Sequence, residues 1–437
     1  MAPSSTPSTP TPSQDLIYDA AIVGAGPAGT TAAARLAQAG LRVLLLDRAK
    51  SFPREKPCGG GITARALTRL PFTRQLFETL PTNALTKMYI ESPDRTGMEY
   101  ADPNGDPILY LVRRIDWDAA LFERASKLVA KTVLGATVTG MVTHSDHVTL
   151  STAAGEQYRA RVVLGADSAN SVIARLSGLR TGEVHGQYAV DMMEETPYTD
   201  LDTPHRDRVT LLLSLPASYG YGYIFPKRDH INLGFGSGPD YFVEHVRGRS
   251  REHHLAFVEE MKSRGFATGT SHPENYRAFP IPISGPLDVT QADRVLLAGD
   301  AAGMVNAFSA EGIYFAMVSG DLAATAILAA VADAANDPAR ADFSARSLSR
   351  YQVSWEAEIG GELRHSVAIQ RRLFTEPGRV NALVRRAKSD PELLRLLCGY
   401  SMGFSTYEQL RAHMARVVMP QWVWGKVKST ARALVGA

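Results

Sequence analysis

Apolar residues in this chain appear first as a short unbroken run, Ala20–Val23, and then as a small-residue helical pattern, TTAAARLAQAG, closed by Gly40. A second run, Leu41–Leu46, follows and delivers Asp47. Short apolar runs bounded by turn residues read as buried strands, so the order is strand, helix, strand. Strands are also expected at Lys87–Ser92, Met98–Ala101 and Leu109–Val112. Trp117, Leu121 and Phe122 share one helical face and predict an amphipathic helix over 114–128. From Ala136 to Gly165 the period falls to two, a meander ending in the buried strand RVVLGAD. Tyr188–Ser237 then holds YAVDMM, RVTLLLS, YGYIFPK and HINLGFG, more antiparallel β structure than a nucleotide-binding fold contains, so a second sheet is inserted there. GFGSG, at Gly234–Gly238, lacks a third glycine and a following helix and reads as a strand end. DRVLLAGD, at Asp293–Asp300, is a buried strand running into a glycine turn. Glu311–Ala332 is a long helix, and the pattern beyond Ala341 is helical.

These elements predict an α/β fold: a Rossmann-like dinucleotide-binding domain, an inserted antiparallel β-sheet domain and a helical C-terminal region. The expected boundaries are 16–85, 108–185 and 285–340 for the nucleotide domain, 86–107 and 186–284 for the inserted substrate sheet, and 341–437 for the helical region. Residues 1–15, rich in Pro, Ser and Thr, are expected to be a disordered tail. Leu322–Ala332, flanked by Asp321 and Asp333, is too short an apolar run for a membrane span and reads as a buried helix. Gly399–Gly403 matches GxSxG, but that nucleophile motif needs a preceding strand, and ELLRLLCGY is leucine-rich at helical spacing.

Composition narrows the classes. A net charge of +2 gives no basic stripe for nucleic acid. Two cysteines, Cys58 and Cys398, make no disulfide framework and suit a reducing compartment, so a cytoplasmic location is expected. Among 11 histidines none has metal-ligand spacing, and no metal is expected.

The turn after the first strand is GxGxxG, with Gly24, Gly26 and Gly29. Its glycines serve a tight turn, close approach to a pyrophosphate, and helix–strand packing. Asp47 follows at about the 20-residue interval of an acid that accepts ribose hydroxyl bonds. A second loop, Gly299-Asp300-Ala301-Ala302-Gly303, suits FAD: Asp300 can bond a ribityl hydroxyl. A helix starting near Gly312 points its positive end at the flavin pyrimidine. Three successive glycines, Gly59–Gly61, follow Cys58 in the loop EKPCGGGIT.

GAGPAG, Arg114, GADSANSVIAR and GDAAG…EGI resemble the FAD-dependent hydroxylase superfamily of para-hydroxybenzoate hydroxylase. EKPCGGGIT, the YxYxFPK segment at Tyr221–Lys227 and CGYSMGFSTYEQL resemble, more narrowly, the geranylgeranyl reductase family, over residues 17–415. The resemblance implies that Ala28 and Asp47 bind the adenosine end and pyrophosphate, that Val138 offers its backbone to adenine, and that Arg114 reaches the phosphate or ribityl region. It also puts Cys58, Gly59 and Gly61 beside the isoalloxazine, with Asp300, Gly312 and Ile313 on the other flank. Tyr221, Tyr223, Phe225 and Pro226 would line the isoprenoid pocket. The chain departs from the family at Ser218, where proline is usual, at Tyr223, where tryptophan is usual, at Ser168 in place of the glycine of ADG, and in NAFSAEGI at Asn306–Ile313, where NPxTGEGI is usual.

The implied chemistry is reduction of a prenyl double bond, hydride from reduced flavin going to one carbon and a proton to the other. Cys58 and Tyr221 are the candidate proton donors. A flavin monooxygenase or halogenase on the same scaffold is the alternative, and a non-catalytic flavin-binding protein a third reading. The chain carries no second nucleotide fingerprint, so its sequence leaves the electron donor open: NADPH and ferredoxin are the two favoured candidates, and another donor is the third. After Glu408 the chain has no acid but carries Arg411, Arg416, Lys426, Lys428 and Arg432 around Trp422 and Trp424. That composition suits peripheral contact with the inner face of a membrane.

Overall fold

The computed structural model describes residues 16–181, 188–213, 220–374 and 376–416. The N-terminal tail, Ser218 and the tryptophan-bearing C-terminal segment lie outside them.

Ile17–Val23 is apolar on both faces because it lies inside a parallel sheet: Ala21 pairs with Leu44 on one side and Val163 on the other. The sheet runs Gln291–Ala292, Val295–Leu297, Gln157–Gly165, Ile17–Val23, Val43–Asp47, Lys131–Leu134, with the Val138–Thr143 and Val148–Thr152 meander attached at Gln157–Gly165. The first helix, Pro27–Gln38, begins with proline at its first turn, where the missing N–H costs nothing. Its small residues let the helix Ile313–Asp333 pack closely: a Cβ on Gly320 would stand 2.2 Å from the Ala28 carbonyl oxygen. Among the described residues Ile313–Asp333 alone is long and apolar enough to cross a membrane, yet 72% of its apolar window is buried inside the protein. It sits between the first helix and Ala345–Trp355. It starts two residues later than the sequence pattern suggests, because Glu311 is held in the preceding loop by Thr63 and Arg65.

The inserted sheet has seven strands in the order Tyr276–Pro282, Tyr188–Pro197, His230–Ser237, Tyr221–Pro226, Arg208–Leu213, Lys87–Glu91, Gly97–Ala101. It is antiparallel except where Arg208–Leu213 runs parallel to Lys87–Glu91. Those strands come from distant parts of the chain, so no hairpin dictates their sense. Leu109–Val112 lies in neither large sheet but between Gly61–Thr63 and Thr82–Leu85 in a small one. One face of the inserted sheet is covered by the helix Ser250–Ser263 through Phe257, Val258 and Met261. Its other face meets C-terminal residues such as Val380, Leu393, Leu396 and Met402. Gly399 to Gly403 belongs to the helix Pro391–Met402 and its cap, and the buried Ser401 hydroxyl donates to the Leu397 carbonyl. It is no nucleophile elbow.

Where the family has glycine, Ser168 adopts φ 73°, a left-handed conformation. Asp167 fixes that turn by accepting hydrogen bonds from the Val172 and Ile173 amides. An L-residue there costs about 1–2 kcal/mol, partly offset by the greater entropy glycine loses on folding. Ser168→Gly is therefore expected to stabilise the protein by about 1 kcal/mol, read as a higher urea midpoint at unchanged slope.

Candidate active site

A cavity of about 880 Å³ runs from the first glycine turn to the inner face of the inserted sheet. At its first end Gly24 has φ 105°, and a Cβ there would stand 2.2 Å from the Ala166 carbonyl oxygen. A Cβ on Gly29 would stand 1.8 Å from the Gly24 carbonyl oxygen, so this residue serves packing and does not line the cavity. Gly26 caps the first helix without a side-chain bond, leaving the helix end open to the cavity. Asp47 accepts hydrogen bonds from the Ala25 amide at 2.6 Å and the Ala49 amide at 2.7 Å. Its carboxylate thus pins the glycine turn to the second strand, and it reaches the cavity only with what remains of its lone pairs. Ala28 and Val138 line the same end.

In the middle, Asp300, Gly312 and Ile313 share the cavity wall. Gly312 caps the long helix without a side-chain bond, and a Cβ on it would come within 3.5 Å of the Asp300 carboxylate. A side chain there would narrow the space between the acid and the helix end. Opposite lies the Cys58 loop. Its glycines follow from what presses on them: a Cβ on Gly59 would stand 2.7 Å from the Phe225 ring, and one on Gly60, at φ 69°, 2.1 Å from the Val112 carbonyl oxygen. Cys58 is a free thiol whose sulfur accepts from the Gly60 amide, and its carbonyl accepts from Asn232. Arg114 is buried with two of its N–H groups donating to Asp118, at 2.7 and 2.9 Å, and it lines the cavity with Cys58. Burial works against its charge, but Asp118 and Cys58 raise its pKa overall. Arg114 therefore meets the cavity as a paired cation next to the thiol.

At the far end the inserted sheet presents Tyr221, Tyr223 and Phe225, alternate residues of one strand. Pro226 breaks the expectation. The period of two turns it to the other face, where its carbonyl accepts from Asn83 at 2.7 Å, and it is absent from the cavity wall. Phe374 and Met402 from the C-terminal helices close the chamber. The Tyr221 hydroxyl donates to the Ser309 carbonyl at 2.6 Å, and burial raises its pKa, so its proton is committed to the backbone.

Lys56 and Asp191 also line the cavity, and sequence reasoning missed both. Burial lowers the Lys56 pKa, and its ammonium lies 4.7 Å from the Phe279 ring centre. Asp191 receives the Tyr223 hydroxyl at 3.0 Å, and burial pushes its carboxyl up to about 7. The available signal was an acid on the same period-two face as Met193, in a strand that also carries Glu194 and Glu195.

The residues fit FAD. A glycine cradle and an open helix end suit a pyrophosphate, and a second helix end with an acid beside it suits the polar edge of a flavin.

The FAD binding domain family matches residues 17–348. The chain is 30% identical over 397 residues to digeranylgeranylglycerophospholipid reductase 2 of Methanopyrus kandleri, covering 87% of this chain and 93% of that protein. It is 33% identical over 326 residues to geranylgeranyl diphosphate reductase of Rhodobacter capsulatus, covering 71% and 75%. Among solved structures, a geranylgeranyl bacteriochlorophyll reductase-like protein from Thermoplasma acidophilum superposes with TM-score 0.75 at 19% identity, over 91% of this chain and 96% of that one. A flavin-dependent brominase superposes with TM-score 0.70 at 18% identity, over 94% and 100%. At such identities these two likenesses speak for the fold alone.

Gly59→Ala is expected to destabilise the protein by about 1–3 kcal/mol, the usual cost of overpacking. Phe225→Leu, which removes the ring edge, should recover most of that loss. Equal unfolding midpoints for Gly59→Ala with and without Phe225→Leu would show that the ring does not set the need for glycine.

Proposed function

The chain belongs to the FAD binding domain family, alongside the geranylgeranyl and digeranylgeranylglycerophospholipid reductases, and we propose that it reduces carbon–carbon double bonds of a prenyl chain on a lipid, quinone or pigment. The observation that carries this reading is one continuous cavity, joining a glycine-cradled dinucleotide groove to a chamber walled by Tyr221, Tyr223, Phe225, Phe374 and Met402. Bound FAD, once reduced, supplies a hydride. The protein's part is to hold the alkene against that cofactor, to exclude water and to provide a proton. The aromatic wall matches a hydrocarbon that brings no hydrogen bonds of its own. The Asp47 and Asp300 loops would hold the cofactor, and the Cys58 loop, clasped by Phe225 and Asn232, would line the cavity between it and the prenyl chain. The electron donor is NADPH or ferredoxin.

A bilayer-dissolved substrate also favours peripheral contact at the inner face of the membrane through the basic, tryptophan-bearing segment beyond Glu408. Each cation near an anionic leaflet contributes about 1 kcal/mol.

Dithionite-reduced protein, kept anaerobic with geranylgeranyl phospholipid, should yield product heavier by two hydrogens for each bond saturated, measured by mass spectrometry. A requirement for oxygen, or an oxygenated product, would place the chain with the monooxygenases instead. In sedimentation with anionic vesicles the protein should pellet at low salt and be released by added salt and by truncation at Pro420. Retention in the supernatant with the segment intact would remove the membrane contact.

A further inference from the structure

The inserted sheet buries one carboxyl group against the cavity without giving it a cation to bond. Asp191 is 4% exposed and sits in the strand Tyr188–Pro197 between Gly236 and Phe279 of the neighbouring strands. The Tyr223 hydroxyl lies 3.0 Å from one of its oxygens and 3.3 Å from the other. Across the ladder, Gly236 leaves open space: a Cβ there would meet nothing within 4 Å, and Gly236 lines the cavity with Asp191 and Tyr223. The strand therefore delivers the carboxyl to the chamber, and glycine keeps the way to it clear.

The ionisable groups facing Asp191 come from three elements. Tyr221 and Tyr223 lie on the strand Tyr221–Pro226, Lys56 and Cys58 on the loop after Asp47, and Tyr276 on the edge strand. Burial raises the Asp191 carboxyl to about 7, opposed by the Tyr223 hydrogen bond and the Lys56 charge. Tyr221 spends its hydroxyl proton on Ser309, and burial next to Asp191 raises the Tyr223 phenol well above its ordinary value, so neither phenol is a strong acid here.

We propose that Asp191 is the general acid of the alkene reduction and that Tyr223 holds it in place, an inference that rests on the prenyl-reductase reading above. The neutral carboxyl gives its proton to one alkene carbon as the other receives the hydride that reduced FAD supplies. The C=C π bond and the Asp191 O–H bond break and two C–H bonds form. The alkene gains two electrons and the cofactor loses two. Asp191 remains as a carboxylate accepting the Tyr223 hydroxyl, and it regains a proton from water when the product leaves.

Infrared difference titration of the FAD-loaded protein reads the carboxyl directly. Glu194, on the other face of the same strand, is also pushed up to about 7, so the Asp191 band is assigned as the part of the acid C=O signal lost in Asp191→Asn. In the wild type that band should fade as the pH rises through about 7. Tyr223→Phe should move its fading to higher pH, because it removes a hydrogen bond that favours the carboxylate. In single turnovers of reduced protein with geranylgeranyl phospholipid, the wild-type rate should fall across the same pH range. Asp191→Asn should be slower by about 100-fold or more and lose that pH dependence while keeping its FAD. Turnover by Asp191→Asn at the wild-type rate and pH profile, or an Asp191 already ionised well below neutrality, overturns the proposal. A wild-type protein that shows the band but reduces no prenyl lipid overturns the reductase reading, and the acid's role with it.

Discussion

Charge buried beside an apolar cavity must be paired, and the pairs that meet this demand tie the molecule's layers together. Lys227 has no exposed side-chain surface and pairs with Glu195, which also accepts from Arg113 and from Asn232. Asn232 in turn donates to the Cys58 carbonyl. That one cluster joins Glu195 and Asn232, on two strands of the inserted sheet, and Lys227, just beyond a third, to the residue before the helix Arg114–Ser126 and to the Cys58 loop. A second cluster, Arg65 with Glu311 and Glu362, links the small sheet, the approach to the long helix and the C-terminal helices, and Asn306 donates into it at 3.2 Å. A third is Asp118 between Arg114 and Arg54. Removing one member of such a buried pair costs about 3–5 kcal/mol, because its partner is stranded without water. The cavity is held open by groups that cannot let go of one another.

One departure from the family pattern is offset by neutral hydrogen bonds beside these ties. Asn306–Ile313 lacks the family's proline, its threonine and the first of its two glycines, yet the loop is fixed. The Asn306 side chain accepts from the Phe308 and Ser309 amides, and the Ala307 amide donates to Ser366. Part of the loop's support thus comes from the helix Gly361–Phe374, which carries Ser366. Ser168, at φ 73°, and Ala310, at φ 55° within that loop, are different in kind, since each keeps the left-handed conformation that glycine would take and bears the strain.

What the sequence made legible was local. The first strand, helix and acid lie within one short stretch, so spacing alone marks the dinucleotide turn, and the alternating runs after Tyr188 mark a second sheet. The pairing of Lys87–Glu91 with Arg208–Leu213 joins segments far apart in the chain, and no periodicity reports it. Pro226 was grouped with its aromatic neighbours by motif, although the period of two already put it on the other face. Asp191 carries no such local signal, because an acid in a strand usually points to water. Its direction became visible only once Met193 and Glu195, two and four residues on, were seen to face the same interior.

Asp191 departs from the pairing rule, and the departure follows from what the chamber has to do. A prenyl chain needs walls without water, and walls without water cannot borrow a proton from solvent during the reaction. A salt bridge would hold a carboxylate ionised and useless as an acid, as Lys227 and Arg113 do for Glu195, whose pKa they pull down against its burial. A hydroxyl partner holds the group in place without adding a full charge, so burial keeps its proton on near neutrality. Dryness that suits the substrate and acidity that suits the reaction thus come from one property of the site, and the cost is a buried acid that the fold leaves unneutralised.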